Sequence, residues 1–235
     1  MKKLKEFKSE QKYITEVGPI GALMMGVMGL WGGYQAFKRT KEKIKGYRES
    51  QAEKKSNKEY GVEIDVRSNN NKIILNHDPM KNGENLKNWI KRFNHKFLII
   101  NIKEEGLEKH IKKILKKNNI KNFFFLDQSF PFLIKTINSN ERRCAARFSE
   151  YEDIKTINNL KNKINWVWVD HFTRFPLNKE ISSLFKKNKI KICIVSPEIV
   201  KKTSTNHIER LKNYIKIKKI HIDAVCTKNP KIWEK

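Results

Sequence analysis

Two carboxylates stand two residues apart in the apolar run GVEIDV at residues 61–66. Because side chains alternate along a β-strand, Glu63 and Asp65 would leave the same face of it. Two carboxylates that face a core repel each other unless a cation lies between them, and their oxygens suit Mg²⁺ or Ca²⁺ better than zinc. We therefore expect a divalent cation at this pair; the alternative is an amphipathic edge strand with its polar face in water.

A histidine beside a carboxylate follows shortly after this pair, in the sequence His77-Asp78-Pro79. An imidazole at the end of an apolar run is suited to proton transfer near neutral pH. The alternative interpretation is a surface turn closed by Pro79.

After Tyr60, apolar runs alternate with amphipathic stretches of helical period. This alternation predicts parallel strands covered by helices, and so an α/β fold. Seven predicted strands in about 175 residues fall short of the usual TIM barrel, which takes eight strands and about 250 residues. We expect an incomplete TIM-barrel-like repeat in which the strand at Val62–Val66 lies at an open edge or beside a gap. The predicted strands are 61–66, 96–102, 122–127, 143–148, 166–170, 191–196 and 221–226, and the clearest helical stretches are 107–117, 151–164 and 207–217.

Polar residues recur where these strands end. In a parallel barrel the strand ends form one face, and that face carries the active site. Asp127, Ser149 and Ser196 also suit helix caps. The whole set is Glu63, Asp65, Lys103, Asp127, Ser149, Glu150, Asp170, His171, Ser196, Glu198, Thr227 and Lys228.

E-x-D followed by H-D resembles the glycerophosphodiester phosphodiesterase family, relatives of the phosphatidylinositol-specific phospholipase C barrels. The resemblance covers about residues 60–235 and includes later strand ends. These are NIKEEGLE (101–108), FFLDQSFP (124–131), RFSEYE (147–152), WVWVDHF (166–172), VSPE (195–198) and DAVCTKNP (223–230).

The resemblance implies a metal-dependent hydrolase that converts a glycerophosphodiester, or a related phospholipid-derived small molecule, to an alcohol and glycerol phosphate. By resemblance, Glu63 and Asp65 bind the metal, His77 is the general acid or base, and Lys103 steadies the phosphate. Further candidates for the site are Asp78, Asn101, Asp127, Glu150, Asp170 and His171.

The sequence departs from the family in two places. The family's first strand carries a His-Arg pair for proton transfer and phosphate binding, and no His-Arg occurs in this sequence. Asn101 stands where many members carry a metal-binding glutamate. His171 offers a substitute histidine. These departures leave a second function open, a catalytically inactive relative that binds phosphate-bearing ligands or a partner.

Residues 17–37 carry no charge and are long enough to cross a bilayer, with lysines on both sides. We expect a single-pass membrane helix within an N-terminal segment, residues 1–37, and a charged juxtamembrane linker at 38–59. The flanking charges place residues 38–235 in the cytoplasm. A signal peptide and a buried soluble helix are the alternatives. Gly29 and Gly33 form a GxxxG that, like an open barrel edge, would allow oligomers.

The composition shows 38% hydrophobic residues and a net charge of +26. The first value excludes a disordered tail protein. The second invites a nucleic-acid function, but Lys, Asn and Ile share A/T-only codons, and no nucleic-acid-binding signature is present. We therefore expect no specific nucleic-acid partner.

Cys144, Cys193 and Cys226 lie in apolar runs without metal spacing, which is typical of reduced buried thiols.

The membrane helix leads to a direct prediction. The full chain is expected in the membrane fraction, whereas a chain that begins at Lys38 is expected in the soluble fraction. Equal solubility of the two chains would contradict the prediction of a membrane helix.

Overall fold

A computed structural model describes residues 60–200 and 205–234. The predicted helix at 17–37 and the linker at 38–59 lie outside the described residues, so both stay predictions. Within the described part of the chain, no helix is long and apolar enough to cross a membrane.

The described chain alternates strands and helices, as the sequence predicts. The strands are β1 (Gly61–Asn69), β2 (Lys72–Leu75), β3 (Glu84–Asn85), β4 (Phe97–Ile102), β5 (Phe123–Leu126), β6 (Ala145–Phe148), β7 (Trp166–Val169), β8 (Lys191–Val195) and β9 (Ala224–Cys226). The helices are α1 (Leu86–Ile90), α2 (Glu108–Lys117), α3 (Phe130–Asn138), α4 (Ile154–Asn159), α5 (Lys179–Lys187), α6 (Pro197–Val200), α7 (Thr205–Ile217) and α8 (Pro230–Glu234).

The strands form two sheets, ordered β3-β2-β1-β4-β5 and β6-β7-β8-β9. All neighbours are parallel except in the antiparallel β1-β2-β3 extension. One parallel bridge between Phe125 and Cys144 joins the sheets. Among the described residues β9 and β1 share no backbone ladder, so the barrel is not closed. The predicted parallel α/β architecture is confirmed for residues 60–200 and 205–234, and whether residues 1–59 supply a strand beside Val62–Val66 stays a prediction.

β1 is less open than the sequence suggested. Its residues Val66–Asn69 pair with β2, while Gly61–Asp65 pair with β4. Sequence reasoning missed the hairpin because β2 has only four residues. The pair Asn70-Asn71 was a turn signal in the sequence, because asparagine favours the positive φ that two-residue hairpin turns require. In the structure the two residues adopt φ of 46° and 60°.

Helix lengths differ from the sequence pattern in one notable case. The stretch 151–164 is helical only from Ile154 to Asn159, where Asp153 caps the helix by accepting a hydrogen bond from the Lys155 N–H. The polar run that follows Asn159 turns instead of extending the helix, and Asn162 adopts a positive φ of 65°. Helical period alone did not reveal this early end.

Side-chain alternation separates the two faces of the strands. Outward residues such as Phe125 and Val167 belong to the large core beneath the helices. Inward residues, including Phe124, Trp166 and Trp168, fill the lower barrel with aromatic rings, and the centroids of Phe124 and Trp166 lie 4.9 Å apart. A barrel floor filled in this way leaves room for polar side chains only at the carboxyl ends of the strands.

The three cysteines are free thiols, as the sequence predicted. Burial raises the pKa of Cys144 to about 12, and burial likewise raises the pKa values of Cys193 and Cys226. These thiols are therefore protonated and unreactive at neutral pH.

Glu141, a buried carboxylate before β6, connects that strand to α2. It accepts hydrogen bonds from the Arg143 guanidinium at 2.7 Å and pairs with Lys112 at 3.2 Å. Burial opposes ionisation, but the bonds from Arg143 and Lys112 prevail and lower the pKa to about 2. Because this pKa lies below the unfolded value near 4.5, the carboxylate stabilises the fold above pH 4.5 and loses that contribution as pH falls toward 2.

We predict that Glu141→Gln lowers the free energy of unfolding at pH 7 by about 2 kcal/mol, because Arg143 and Lys112 lose a buried, charged acceptor. Urea unfolding at pH 7 and at pH 3 measures this, and the difference from the unsubstituted chain should shrink at the lower pH. Glu180→Gln, at an exposed position in α5, is the control. A loss that is equal at both pH values would contradict the assignment.

Candidate functional site

Five charged side chains of alternating sign cross the barrel mouth at the ends of five strands. Lys103 Nζ lies 3.5 Å from Asp65 Oδ1 and 3.4 Å from Asp127 Oδ2. Arg147 then binds Asp127 at 2.7 Å through Nη1 and Asp170 through Nη2. We call these residues, Asp65, Lys103, Asp127, Arg147 and Asp170, the charged arc. The strand order therefore brings together four of the predicted site residues with Arg147.

Asp127 holds the middle of the charged arc in an uncommon backbone conformation. Its φ of +57° is left-handed, which Asp tolerates better than most residues. The turn directs its two carboxylate oxygens to different cations, Lys103 and Arg147. Such backbone strain, of about 1–3 kcal/mol, is common at functional sites.

Asp170 ends the charged arc in a buried position. The Trp168 indole N–H donates to it at 3.2 Å, in addition to the Arg147 contact. Burial raises the pKa of Asp170 even though Arg147 and Trp168 favour the ionised form. Arg147 therefore favours the charged form of this carboxylate against the effect of burial.

Glu63 lies deeper, where β1 faces the gap to β9. Its carboxylate accepts a hydrogen bond from Asn101 Nδ2 at 2.9 Å and another from Cys226 Sγ at 3.2 Å. Burial is the main cause of its raised pKa, and nearby Asp65 adds to the effect. The bond to Cys226 is a side-chain contact across the seam where backbone pairing is absent between the described strands β1 and β9.

Two buried oxygens in this region, Asp65 Oδ1 and Asn101 Oδ1, accept no hydrogen bond. The two residues are direct neighbours on β1 and β4. Unsatisfied carboxylate and amide oxygens are the ligand type of hard cations such as Mg²⁺ and Ca²⁺. However, the described residues contain no group of three or more His, Cys, Asp or Glu arranged to hold a metal. The oxygens of Glu63, Asp65 and Asn101 are thus of the chemical type that binds a hard cation, and the Asn101 oxygen is the uncharged one. The ammonium group of Lys103 already lies close to Asp65.

His77 and Asp78 lie in the loop between β2 and β3. The imidazole Nδ1 is 3.0 Å from Asp78 Oδ1, and the His77 side chain is 56% exposed. Hydrogen bonds from His77 and Lys81 lower the pKa of Asp78 to about 2. The loop is anchored to β1, because Asn76 N–H donates to the Asp65 carbonyl at 3.1 Å and Arg67 Nε donates to the His77 carbonyl at 2.8 Å.

Gly83 fixes the far end of this loop. A Cβ there would lie 2.2 Å from the carbonyl oxygen of Leu75, so only glycine allows the backbone to approach β2 this closely. These anchors hold His77 beside Asp65 and Arg67 of β1. The proton-transfer role of His77 stays a prediction.

His171 and Glu150 have clear structural contacts at the mouth. His171 is buried, and its Nε2 lies 3.0 Å from the Val195 carbonyl oxygen. Glu150 accepts backbone N–H groups of Phe172 at 2.9 Å and Arg174 at 3.2 Å, and also that of Thr173. Although burial opposes it, these donors lower the pKa of Glu150 to about 2. Both residues join neighbouring loops, which supports the structural alternative to a catalytic role.

Arg147 is the site residue that sequence reasoning missed. It lies in the segment RFSEYE (147–152), and the sequence pattern predicts no role for it. The signal was its position two residues after Ala145 on a short apolar strand, which puts its side chain on the inward face. An arginine on the inward face of a barrel strand requires acidic partners or an anionic ligand.

No protein-family model and no curated protein matches this sequence. Some solved protein structures are similar to the structure of this chain. A glycerophosphoryl diester phosphodiesterase from Parabacteroides distasonis aligns over 77% of this chain and 76% of its own, with 13% identity and a TM-score of 0.54. A glycerophosphodiester phosphodiesterase from Agrobacterium tumefaciens aligns over 75% of this chain and 87% of its own, with 11% identity and a TM-score of 0.54. At these identities the likeness shows a shared fold, so the chain has the fold of these phosphodiesterase barrels.

We predict that Arg147→Met destabilises the fold by about 2 kcal/mol, because it leaves the buried Asp170 carboxylate without its cation. Arg147→Met combined with Asp170→Asn should cost less than the sum of the two single changes in a double-mutant cycle. Chemical unfolding at pH 7 measures all four chains. Arg92→Met removes a more exposed ion pair with Glu84 and should cost under about 1 kcal/mol. Additive losses would show that the Arg147–Asp170 contact is energetically unimportant.

Proposed function

We propose that the barrel mouth binds and hydrolyses a phosphodiester of the glycerophosphodiester class. The observation that supports this most is the charged arc, which holds two cations, Lys103 and Arg147, at the mouth. Lys103 lies 3.5 Å from Asp65 Oδ1, one of the two buried oxygens that accept no hydrogen bond. Cations at fixed positions stabilise the negative charge that develops on phosphoryl oxygens. The shared fold with phosphodiesterase barrels is consistent with this chemistry.

The proposed roles follow from position. Lys103 and Arg147 would contact the phosphate, and Arg147 would replace the arginine absent from the family's usual place. Glu63, Asp65 and Asn101 would hold a divalent cation, which supplies Lewis-acid stabilisation when bound. A neighbouring hydroxyl of the substrate would form the new bond to phosphorus in line and release its proton to solvent. His77 would donate a proton to the departing alcohol oxygen as its bond to phosphorus breaks, with Asp78 orienting the imidazole at 3.0 Å. A tether through residues 17–37 would hold the domain at a membrane.

A specific observation also favours the inactive alternative. Both cations of the charged arc are already paired with carboxylates, and His171 is buried against a backbone carbonyl. With one exposed histidine on the mouth loop and no His-Arg pair in the sequence, the domain would then bind phosphate-bearing ligands without turnover.

We predict that Mg²⁺ or Ca²⁺ raises the melting temperature and that Glu63→Gln abolishes this gain, because ligand binding to the folded state stabilises it. The raised pKa of Glu63 adds a pH dependence. The carboxylate must lose its proton to bind a cation, so the gain should grow as the pH rises and should disappear at a higher pH than an ordinary Glu would give. Differential scanning fluorimetry with and without metal measures both effects, with Glu180→Gln as control. An undiminished gain in Glu63→Gln would place the cation elsewhere.

Turnover of a glycerophosphodiester is expected to be slow, because one positioned acid–base group is worth about 10²–10⁴-fold in rate. It should require the divalent metal and be lost in His77→Ala, whereas His110→Ala, at an exposed position on α2, should retain it. Full turnover in His77→Ala would refute this site. Binding of glycerol 3-phosphate without turnover, lost in Lys103→Met, would establish the inactive alternative.

A further inference from the structure

Four large hydrophobic side chains are exposed at equivalent positions around the barrel mouth. Phe130, Tyr151, Phe172 and Ile199 are 55%, 72%, 45% and 36% exposed. Each follows the last residue of a strand by three or four positions, on the consecutive strands β5, β6, β7 and β8. We call this set the apolar rim. Because parallel strands end on one face, its members border the same opening as the charged arc.

Two members of the apolar rim, Tyr151 and Phe172, are held in place by ordered contacts. The rings of Tyr151 and Phe172 contact each other with centroids 5.9 Å apart. The neighbouring residue Glu150 binds the backbone N–H groups of Phe172, Thr173 and Arg174, which fixes the loop that carries Phe172. A grouped exposed apolar surface of this kind marks a site of interaction with another apolar phase or partner.

Exposed cations accompany the apolar rim. Lys155 follows Tyr151 at the start of α4, and Arg174 follows Phe172 in the next loop. Aromatic residues favour the boundary between water and lipid, and basic residues beside them are attracted to anionic head groups. The net charge of +26 acts in the same direction over a longer range.

We propose that the apolar rim docks on the surface of a lipid bilayer that contains anionic lipid, with the barrel mouth facing the membrane. Aromatic side chains, flanking cations and an ordered loop together fit a charged interface better than they fit a purely apolar groove in a protein. This docking belongs to the folded domain itself. It requires neither turnover at the mouth nor the stretch at residues 17–37.

The test uses the full chain with a polarity-sensitive thiol dye at one of two introduced cysteines. Tyr151→Cys reports from the apolar rim, and Asn122→Cys reports from the opposite end of the barrel, before β5. The unsubstituted chain, labelled in parallel, corrects for Cys226. We expect vesicles of phosphatidylcholine and phosphatidylglycerol to shift the emission of the dye at position 151 to the blue and to leave position 122 unchanged. Vesicles of phosphatidylcholine alone should give a smaller shift.

A matched pair of double variants tests the rim residues themselves, each in the Tyr151→Cys chain. Phe130→Ser with Phe172→Ser should remove most of the shift, since each exposed phenylalanine would otherwise contribute about tenfold to partitioning. Tyr214→Ser with Ile217→Ser removes two exposed hydrophobics of α7, outside the rim, and should leave the shift intact.

Three outcomes would overturn the proposal. Equal shifts at positions 151 and 122 would indicate general adsorption or tethering by the N-terminal segment. No shift at either position would show that the mouth faces water. A shift with dodecyl phosphate below its micelle concentration, but not with vesicles, would identify a site for a single amphiphile. Each result is independent of whether a phosphodiester is hydrolysed.

Discussion

Charge compensation at the mouth is the constraint on which the rest of this structure depends. A parallel barrel directs alternate side chains inward, and each inward charge loses much of its hydration. The charged arc solves this by alternating sign from strand to strand, from Asp65 to Asp170. Below it, the aromatic floor around Phe124 and Trp166 leaves no place for charge. The polar chemistry is therefore concentrated at one end of the barrel.

The seam between β9 and β1 is spanned by side chains within the described part of the chain. Glu63 and Cys226 bond across it. Tyr60, just before β1, donates to Glu234 of α8 at 2.6 Å. These contacts tie the two margins together without satisfying the backbone groups of a strand edge. An exposed edge of this kind is a place for association, which keeps the prediction of oligomers relevant.

The polar mouth and the apolar rim make complementary demands on a ligand. Lys103 and Arg147 suit a phosphate, and the apolar rim suits the surface from which a phospholipid-derived molecule would come. The two proposals can fail separately, since the first depends on charges inside the mouth and the second on hydrophobic side chains outside it. Glu150 links the mouth to the apolar rim, because it orders the loop that follows Asp170, and that loop carries Phe172.

Local periodicity was enough to predict the seven parallel strands and the shared face of Glu63 and Asp65, but it did not predict the antiparallel strands β2 and β3. The same rule could have identified Arg147, but an arginine two residues from Ala145 says nothing about which carboxylates it will meet. The pairing of Arg147 with Asp127 and Asp170 arises from strand order, over separations of 20 and 23 residues. The left-handed turn at Asp127 and the apolar rim also arise only from the folded chain. Exposure and charge pairing are properties of distant segments brought together, and no local pattern encodes them.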